Sequence, residues 1–156
     1  MRKLVTVVLL NVLIGIVNGF AGVQEPDRIR NDATLAGIDS DKDGIRDDVQ
    51  ILIEYEFSKD SRILKAARQK AKYLQLSILT AEDKDKSIQV ARKSLDTNSC
   101  LVHVAGLEES MRITRFIEKK TFNTKDRLYA YVKANGNFSG EGYSLPKKDK
   151  MAELCE

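Results

Sequence analysis

Residues 39–48 read D-S-D-K-D-G-I-R-D-D, so five carboxylates fall within ten positions around one glycine. Unpaired, these groups would repel one another and disfavour a compact turn. Counted from Asp39 as position one, aspartates occupy positions one, three and five, a glycine occupies position six, and Ile45 at position seven offers a backbone carbonyl. Calcium takes about six to eight oxygen ligands in flexible geometry, and this pattern supplies such oxygens. The segment is therefore predicted to bind calcium.

A helix start without any metal is the alternative explanation for part of this charge. Apolar residues begin to recur at helical spacing at Val49, so Asp47 and Asp48 would lie at a helix N-terminus, where carboxylates are favourable. This alternative accounts for two of the five aspartates. It leaves the alternating aspartates that precede Gly44 unexplained, and these favour the calcium interpretation.

The motif D-x-D-x-D-G-I-x-D resembles the calcium loops of thrombospondin type-3 repeats and of related bacterial EF-hand-like modules. At position twelve, where both families usually have an acidic ligand, this chain has Gln50, so Asp48 or a water would complete the shell. Loss of that charge predicts weaker binding than in intracellular sensors, suited to calcium levels outside the cytoplasm. The ligands that the resemblance implies are Asp39, Asp41, Asp43, Ile45 and Asp47.

The start of the chain has the order of a secretory signal peptide. Two basic residues are followed by an apolar run from Leu4 to Val17 and then by small residues at Gly19 and Ala21. A signal peptide is predicted over residues 1–21, with cleavage after Ala21 or Gly19. A retained membrane anchor is the alternative, but the run is shorter than the roughly 20 residues that span a bilayer. We expect residues 22–156 to form a single helical domain, periplasmic or secreted and not integral to the membrane.

A longer stretch supports the same location. Residues 35–49, L-A-G-I-D-S-D-K-D-G-I-R-D-D-V, resemble the opening of uncharacterised exported proteins of Gram-negative bacteria. The resemblance implies export and calcium binding, and it implies no activity.

The two cysteines, Cys100 and Cys155, allow one intramolecular pairing. An even cysteine count in an exported protein predicts a disulfide, whereas two free thiols are the alternative. The bond would join the C-terminus to the middle of the chain and would be worth roughly 4 kcal/mol in the loop-entropy model.

Apolar residues recur at helical spacing after the acidic loop, and no stretch alternates as a strand would. The predicted fold is all-α, an irregular bundle of about five helices preceded by the calcium loop. We expect residues 22–38 to be an exposed arm. The predicted helices run from Asp47 to near Ser58, from Asp60 or Ser61, from Thr80–Asp83 to a break at Thr97–Asn98, from Ser99 to Lys120, and from Asn123 or Thr124 to Asn135.

The functional expectation is a non-enzymatic binding protein. His103 is the only histidine, and no nucleophile elbow, zinc-spaced histidine set or phosphate-binding glycine loop is present. The formal net charge is +3, and removal of Arg2 and Lys3 with the signal peptide would leave +1. A nearly neutral protein argues against nucleic acid as a main partner. A protein or envelope partner is expected, with an inhibitor or immunity-type role as one form of this hypothesis. The alternatives are a cell-envelope hydrolase with a carboxylate site including Glu54 and structural calcium, and a reversible calcium sensor.

Overall fold

The computed structural model describes residues 23–156, and this part of the chain contains six α-helices, one 3₁₀ helix and no β-strand. The all-α prediction is therefore confirmed. The predicted signal peptide lies outside the described residues. No helix of the described part is both long and apolar enough to cross a membrane. The elements are α1 (Arg28–Asp32), α2 (Asp47–Phe57), α3 (Ser61–Leu79), α4 (Lys84–Ala105), α5 (Leu107–Thr121), α6 (Lys125–Asn137) and the C-terminal 3₁₀ helix (Lys148–Leu154).

Side-chain caps define where four of the described helices begin, and Asp27 provides the cap of the short α1. Asp60 accepts hydrogen bonds from the backbone N–H groups of the first turn of α3, and Asp83 does the same for α4. Thr124 caps α6 through its hydroxyl. Each cap satisfies a donor that has no partner inside the helix, which is typically worth about 1 kcal/mol. Thr80 belongs to the end of α3, so Asp83 alone starts the next helix.

Helix α3 is central and packs against α2, α4, α5 and α6. The apolar stripe of α2 faces it, and Ile45 from the acidic loop joins the same core at 3 % exposure. Phe57 meets Phe116 of α5 edge to face, with ring centroids 5.6 Å apart. The buried core comprises Ile45, Val49, Ile53, Phe57, Ala66, Ala67, Ala71, Leu74, Cys100, Leu101, Ile113 and Ile117.

The predicted helix break at Thr97–Asn98 is wrong, because α4 continues through it to Ala105. The Thr97 side chain is fully buried, and its hydroxyl donates to the Ser94 carbonyl at 2.7 Å. That bond satisfies the hydroxyl within the helix, so the residue does not end it. The break falls at Gly106, whose φ of +81° ends α4 and begins α5.

The arm over residues 22–38 is only in part the exposed segment that we predicted. It contains α1, and Asn31 is 2 % exposed. The fully buried Arg127 of α6 holds it: the guanidinium donates to the carbonyls of Asn31, Thr34 (2.9 Å) and Leu35 (3.3 Å). The arm is therefore fastened to the last α-helix.

A second buried arginine lies beside the first. Arg46 donates to the Lys120 carbonyl at 2.9 Å and to the Thr121 carbonyl at 3.2 Å, and it pairs with Asp48 through two nitrogens. The side-chain oxygen of Asn123 accepts from both arginines, at 3.2 Å from Arg46 and 2.7 Å from Arg127. We call Arg46, Arg127, Asp32, Asp48 and Asn123 the arginine network, since Asp32 also pairs with Arg127.

Cys100 and Cys155 form the predicted disulfide, with an S–S distance of 2.05 Å. The bond joins α4 to the residue after the 3₁₀ helix, and Gln69 of α3 donates to the Leu154 carbonyl at 2.8 Å beside it. Tyr73 of α3 also donates to the Glu156 carboxylate at 2.7 Å, and the Glu156 N–H donates to Gln69 Oε1 at 3.4 Å. The C-terminus is therefore fixed to the bundle by one covalent bond and several hydrogen bonds to α3.

Candidate metal centre

Three of the predicted ligands lie together in the acidic loop. One carboxylate oxygen from each of Asp39, Asp41 and Asp43 lies within 4.8 Å of the other two. Calcium–oxygen distances are about 2.3–2.6 Å, so two ligands on opposite sides of one ion are roughly 5 Å apart. The three oxygens are therefore close enough together to bind a single calcium ion.

The loop backbone positions these carboxylates. Gly44 has a φ of +89°, which L side chains rarely adopt, and its N–H donates to Asp39 Oδ2 at 3.0 Å. The N–H of Asp43 donates to Asp41 Oδ1 at 3.3 Å, and the N–H of Ile45 donates to Asp43 Oδ1 at 2.7 Å. Because the Ile45 side chain is buried in the core, the loop is attached to the bundle where it turns.

Two buried oxygens at this cluster have no hydrogen-bond partner in the described part of the chain. One is Asp39 Oδ1, and the other is Oε1 of Gln50, a residue only 3 % exposed. The Gln50 amide lies against the cluster, because its Nε2 donates to Asp41 Oδ2 at 3.2 Å. Rotating the amide by about 180° exchanges its nitrogen and oxygen, and this would turn Oε1 toward Asp41 and the other aspartates of the cluster. Unpaired buried acceptors are costly, and a hard cation satisfies them, so the donor set fits calcium.

The pKa values of the clustered aspartates also show that Asp39 has too few hydrogen-bond donors. Burial raises the pKa of Asp39, and the negative charge of Asp43 adds to this increase, while the Gly44 N–H opposes it. For Asp41, burial alone would raise the pKa, but hydrogen bonds from the Gln50 amide and the Asp43 N–H outweigh it and lower the pKa. One carboxylate thus lacks stabilisation that its neighbour obtains from protein donors.

Arg68 of α3 supplies positive charge to the loop. Its Nη2 donates to Asp43 Oδ2 at 2.6 Å, and its Nη1 pairs with Glu54. The motif does not indicate this residue, because Arg68 lies on another helix, 25 positions from Asp43. The sequence pattern that begins at Asp60 predicts that Arg68 lies on a helix. Only the packing of α3 against α2 brings the Arg68 side chain to the acidic loop.

The other predicted ligands have different surroundings. Asp47 is 2 % exposed, and its Oδ1 accepts from the Ser40 N–H at 2.9 Å, so it braces the loop from the start of α2. Asp48 is paired with Arg46 in the arginine network. The structure does not bring either carboxylate into the three-aspartate cluster. Glu54, the residue proposed for a hydrolase, is paired with Arg68 and accepts from Gln50 at 3.3 Å.

The comparisons with known proteins give no match. No family model, no curated protein and no solved structure is similar to this chain. Its function therefore has to be inferred from its own residues.

Proposed function

We propose that this is an exported, calcium-binding helical protein that acts non-enzymatically by binding a macromolecular partner. The observation that carries the calcium part is the cluster of Asp39, Asp41 and Asp43 oxygens within 4.8 Å, with Asp39 Oδ1 buried and unpartnered. The ion is structural in this proposal. It holds the turn of the loop against the core residue Ile45 and fixes the start of α2.

The residues of the loop have different roles in this proposal. Asp39, Asp41 and Asp43 bind the ion directly, and the Ile45 carbonyl and the Gln50 amide oxygen complete the neutral part of the shell. Asp47 braces the loop through the Ser40 N–H. Calcium competes with Arg68 for Asp43, because the guanidinium and the Ile45 N–H already occupy both of its oxygens. This competition supports an affinity suited to extracellular calcium levels.

Export and partner binding rest on separate features. The Cys100–Cys155 disulfide supports an oxidising compartment, where such bonds persist. The outer face of α6 supports a binding role, because Leu128, Tyr129 and Val132 are 49 %, 61 % and 60 % exposed. Exposed apolar side chains grouped on one helix are a common feature of protein-binding surfaces.

Calcium is expected to raise the melting temperature of the oxidised protein, whereas magnesium has little effect. At about one hundred times the Kd, binding to the folded state alone adds roughly 2.7 kcal/mol to the free energy of unfolding. The double variant Asp41→Ala, Asp43→Ala is expected to lose this shift, because it removes two of the three clustered carboxylates. Thermal unfolding followed by circular dichroism, with calcium, magnesium or chelator, measures the effect.

The control is the double variant Asp85→Ala, Asp126→Ala, which makes the same charge change at exposed first-turn positions of α4 and α6. It should keep the calcium shift. The variant Gln50→Glu provides a further test. Its carboxylate should repel Asp41 and lower the melting temperature of the calcium-free protein. The same carboxylate should bind calcium and so increase the rise in melting temperature that calcium produces. A calcium shift that survives in the Asp41, Asp43 variant would rule out the loop as the site.

A partner that contacts α6 should be retained from cell-envelope extract by the immobilised protein and lost with the variant Leu128→Glu, Val132→Glu. Both side chains are about half exposed, so the change should leave the fold intact while adding charge to an apolar contact. Quantitative mass spectrometry of the eluates measures this, with Lys133→Glu as a control on the same helix. Equal retention by all three proteins would exclude this face as the contact.

A further inference from the structure

A cavity of about 140 Å³, lined by both polar and apolar side chains, lies between α3, α4, α5 and α6. Lys70, Ser94, Asn98, Glu118 and Tyr131 are among the residues that line it. Liquid water occupies about 30 Å³ per molecule, so the cavity has room for about five waters or a ligand of similar size. Clefts between the helices of a bundle are common places for small-molecule sites.

Lys70 is the buried cation of this cavity. The residue is 3 % exposed, and its ammonium donates to the Ser94 carbonyl at 3.3 Å and to the Ser94 hydroxyl at 3.0 Å. An ammonium has three hydrogens, and these two acceptors belong to a single neutral residue. Burial lowers the pKa of Lys70 to about 8, and the negative charge of Glu118 opposes this shift. The cation is therefore incompletely compensated by the protein.

The other polar groups that line the cavity include a half-buried carboxylate and one buried acceptor that has no donor among the described residues. Within residues 23–156, no ion pair joins Glu118 to Lys70, although both line the same space. The Asn98 Oδ1 atom is buried and has no hydrogen-bond donor in the described part of the chain. The cavity is thus lined by the positive charge of Lys70, the carboxylate of Glu118 and the unpaired amide oxygen of Asn98.

We propose that this cavity binds a small zwitterion of the amino-acid class, with its carboxylate on Lys70 and its ammonium on Glu118 and Asn98. A zwitterion pairs the buried charge of Lys70 and the half-buried charge of Glu118 at once, and it adds no net charge to the cavity. A simple carboxylate would be repelled by Glu118. A simple amine would leave the buried ammonium of Lys70 unmatched, and burying an unmatched charge is costly. The volume limits the ligand to about the size of glycine, alanine or β-alanine.

The test is a titration of the full protein with glycine, alanine and β-alanine at millimolar concentrations, followed by amide chemical shifts and calorimetry. Acetate and methylamine, which carry one charge each, are the ligand controls. At least one zwitterion should bind, and Lys70→Met and Glu118→Gln should each weaken it at least tenfold. Lys65→Met, an exposed lysine on the same helix, should bind as the wild type does.

The pH dependence gives a second readout. The ammonium of Lys70 is mostly present at pH 7 and mostly absent at pH 9, given a pKa of about 8. Affinity should therefore fall about tenfold between these values, since only the protonated fraction binds the carboxylate. Lys70→Met should show no such fall. If no zwitterion binds, if acetate binds as tightly as glycine, or if Lys70→Met binds normally, the proposal is overturned and the cavity holds water only. The calcium proposal does not depend on this outcome.

Discussion

Replacing Arg127 with methionine is expected to lower the free energy of unfolding by about 3–5 kcal/mol. The guanidinium is fully buried and satisfies three carbonyls of the N-terminal arm, and it pairs with Asp32 and Asn123. Methionine fills part of the volume but donates no hydrogen bond. Three carbonyls, of which that of Asn31 is buried, and one carboxylate would lose this donor, and each loss at a buried acceptor costs about 1–3 kcal/mol before relaxation.

Urea unfolding followed by circular dichroism measures this difference. The control is Arg92→Met, the same substitution at a half-exposed arginine that bridges Glu141 and the Gly142 carbonyl. Exposed pairs of this kind contribute roughly 0–1 kcal/mol, so the control should unfold close to the wild type. Similar losses in the two variants would contradict a special role for the arginine network.

Removing the disulfide by Cys155→Ala is expected to cost about 4 kcal/mol. The bond closes a loop between residues 55 positions apart, and the loop-entropy model assigns about this amount to a closure of that size. The 3₁₀ helix would also lose its covalent attachment beside the Gln69 contact. Urea unfolding of the variant and of the wild type, each with and without reductant, measures the effect.

Cys100→Ala serves as the matched variant, because it removes the same bond from the other side. The two variants should lose similar amounts, and reductant should weaken only the wild type. A loss below about 1 kcal/mol would mean that the unfolded chain gains little freedom when the bond is absent.

The features that the sequence could predict are local ones. The alternating aspartates identified the loop, and the structure brings Asp39, Asp41 and Asp43 together because Gly44 turns the chain and Ile45 anchors it. Apolar periodicity predicts five helices, and α2, α3 and α6 begin where it places them, although the boundary between α4 and α5 lies elsewhere. Asp60 and Thr124, each one of two candidates, are the caps. In each of these cases the deciding interactions lie within a few residues along the chain.

The features that the sequence could not predict depend on contacts between distant residues. Nothing in the pattern around Arg127 indicates that it is buried under residues 31–35, more than ninety positions away. Thr97 looked like a helix end because threonine favours caps, yet tertiary burial overrides that preference. Arg68 reaches the acidic loop only through helix packing. Long polar side chains ordinarily face water, so the burial of Arg46 and Arg127 is visible only once the fold is known.

The attachment of the N-terminal arm to α6 has a consequence for the order of folding. A chain that emerges from the ribosome or crosses a membrane from its N-terminus presents residues 23–46 before the rest of the described chain. The residue that binds them, Arg127, follows much later, and the Cys155 partner of Cys100 is the penultimate residue. Contacts of such long sequence separation form late, because the loop-closure entropy must be overcome first. The N-terminal arm is therefore the first segment of the described chain to emerge and among the last to reach its native position. Helices α2 to α6 form before the arm docks onto Arg127.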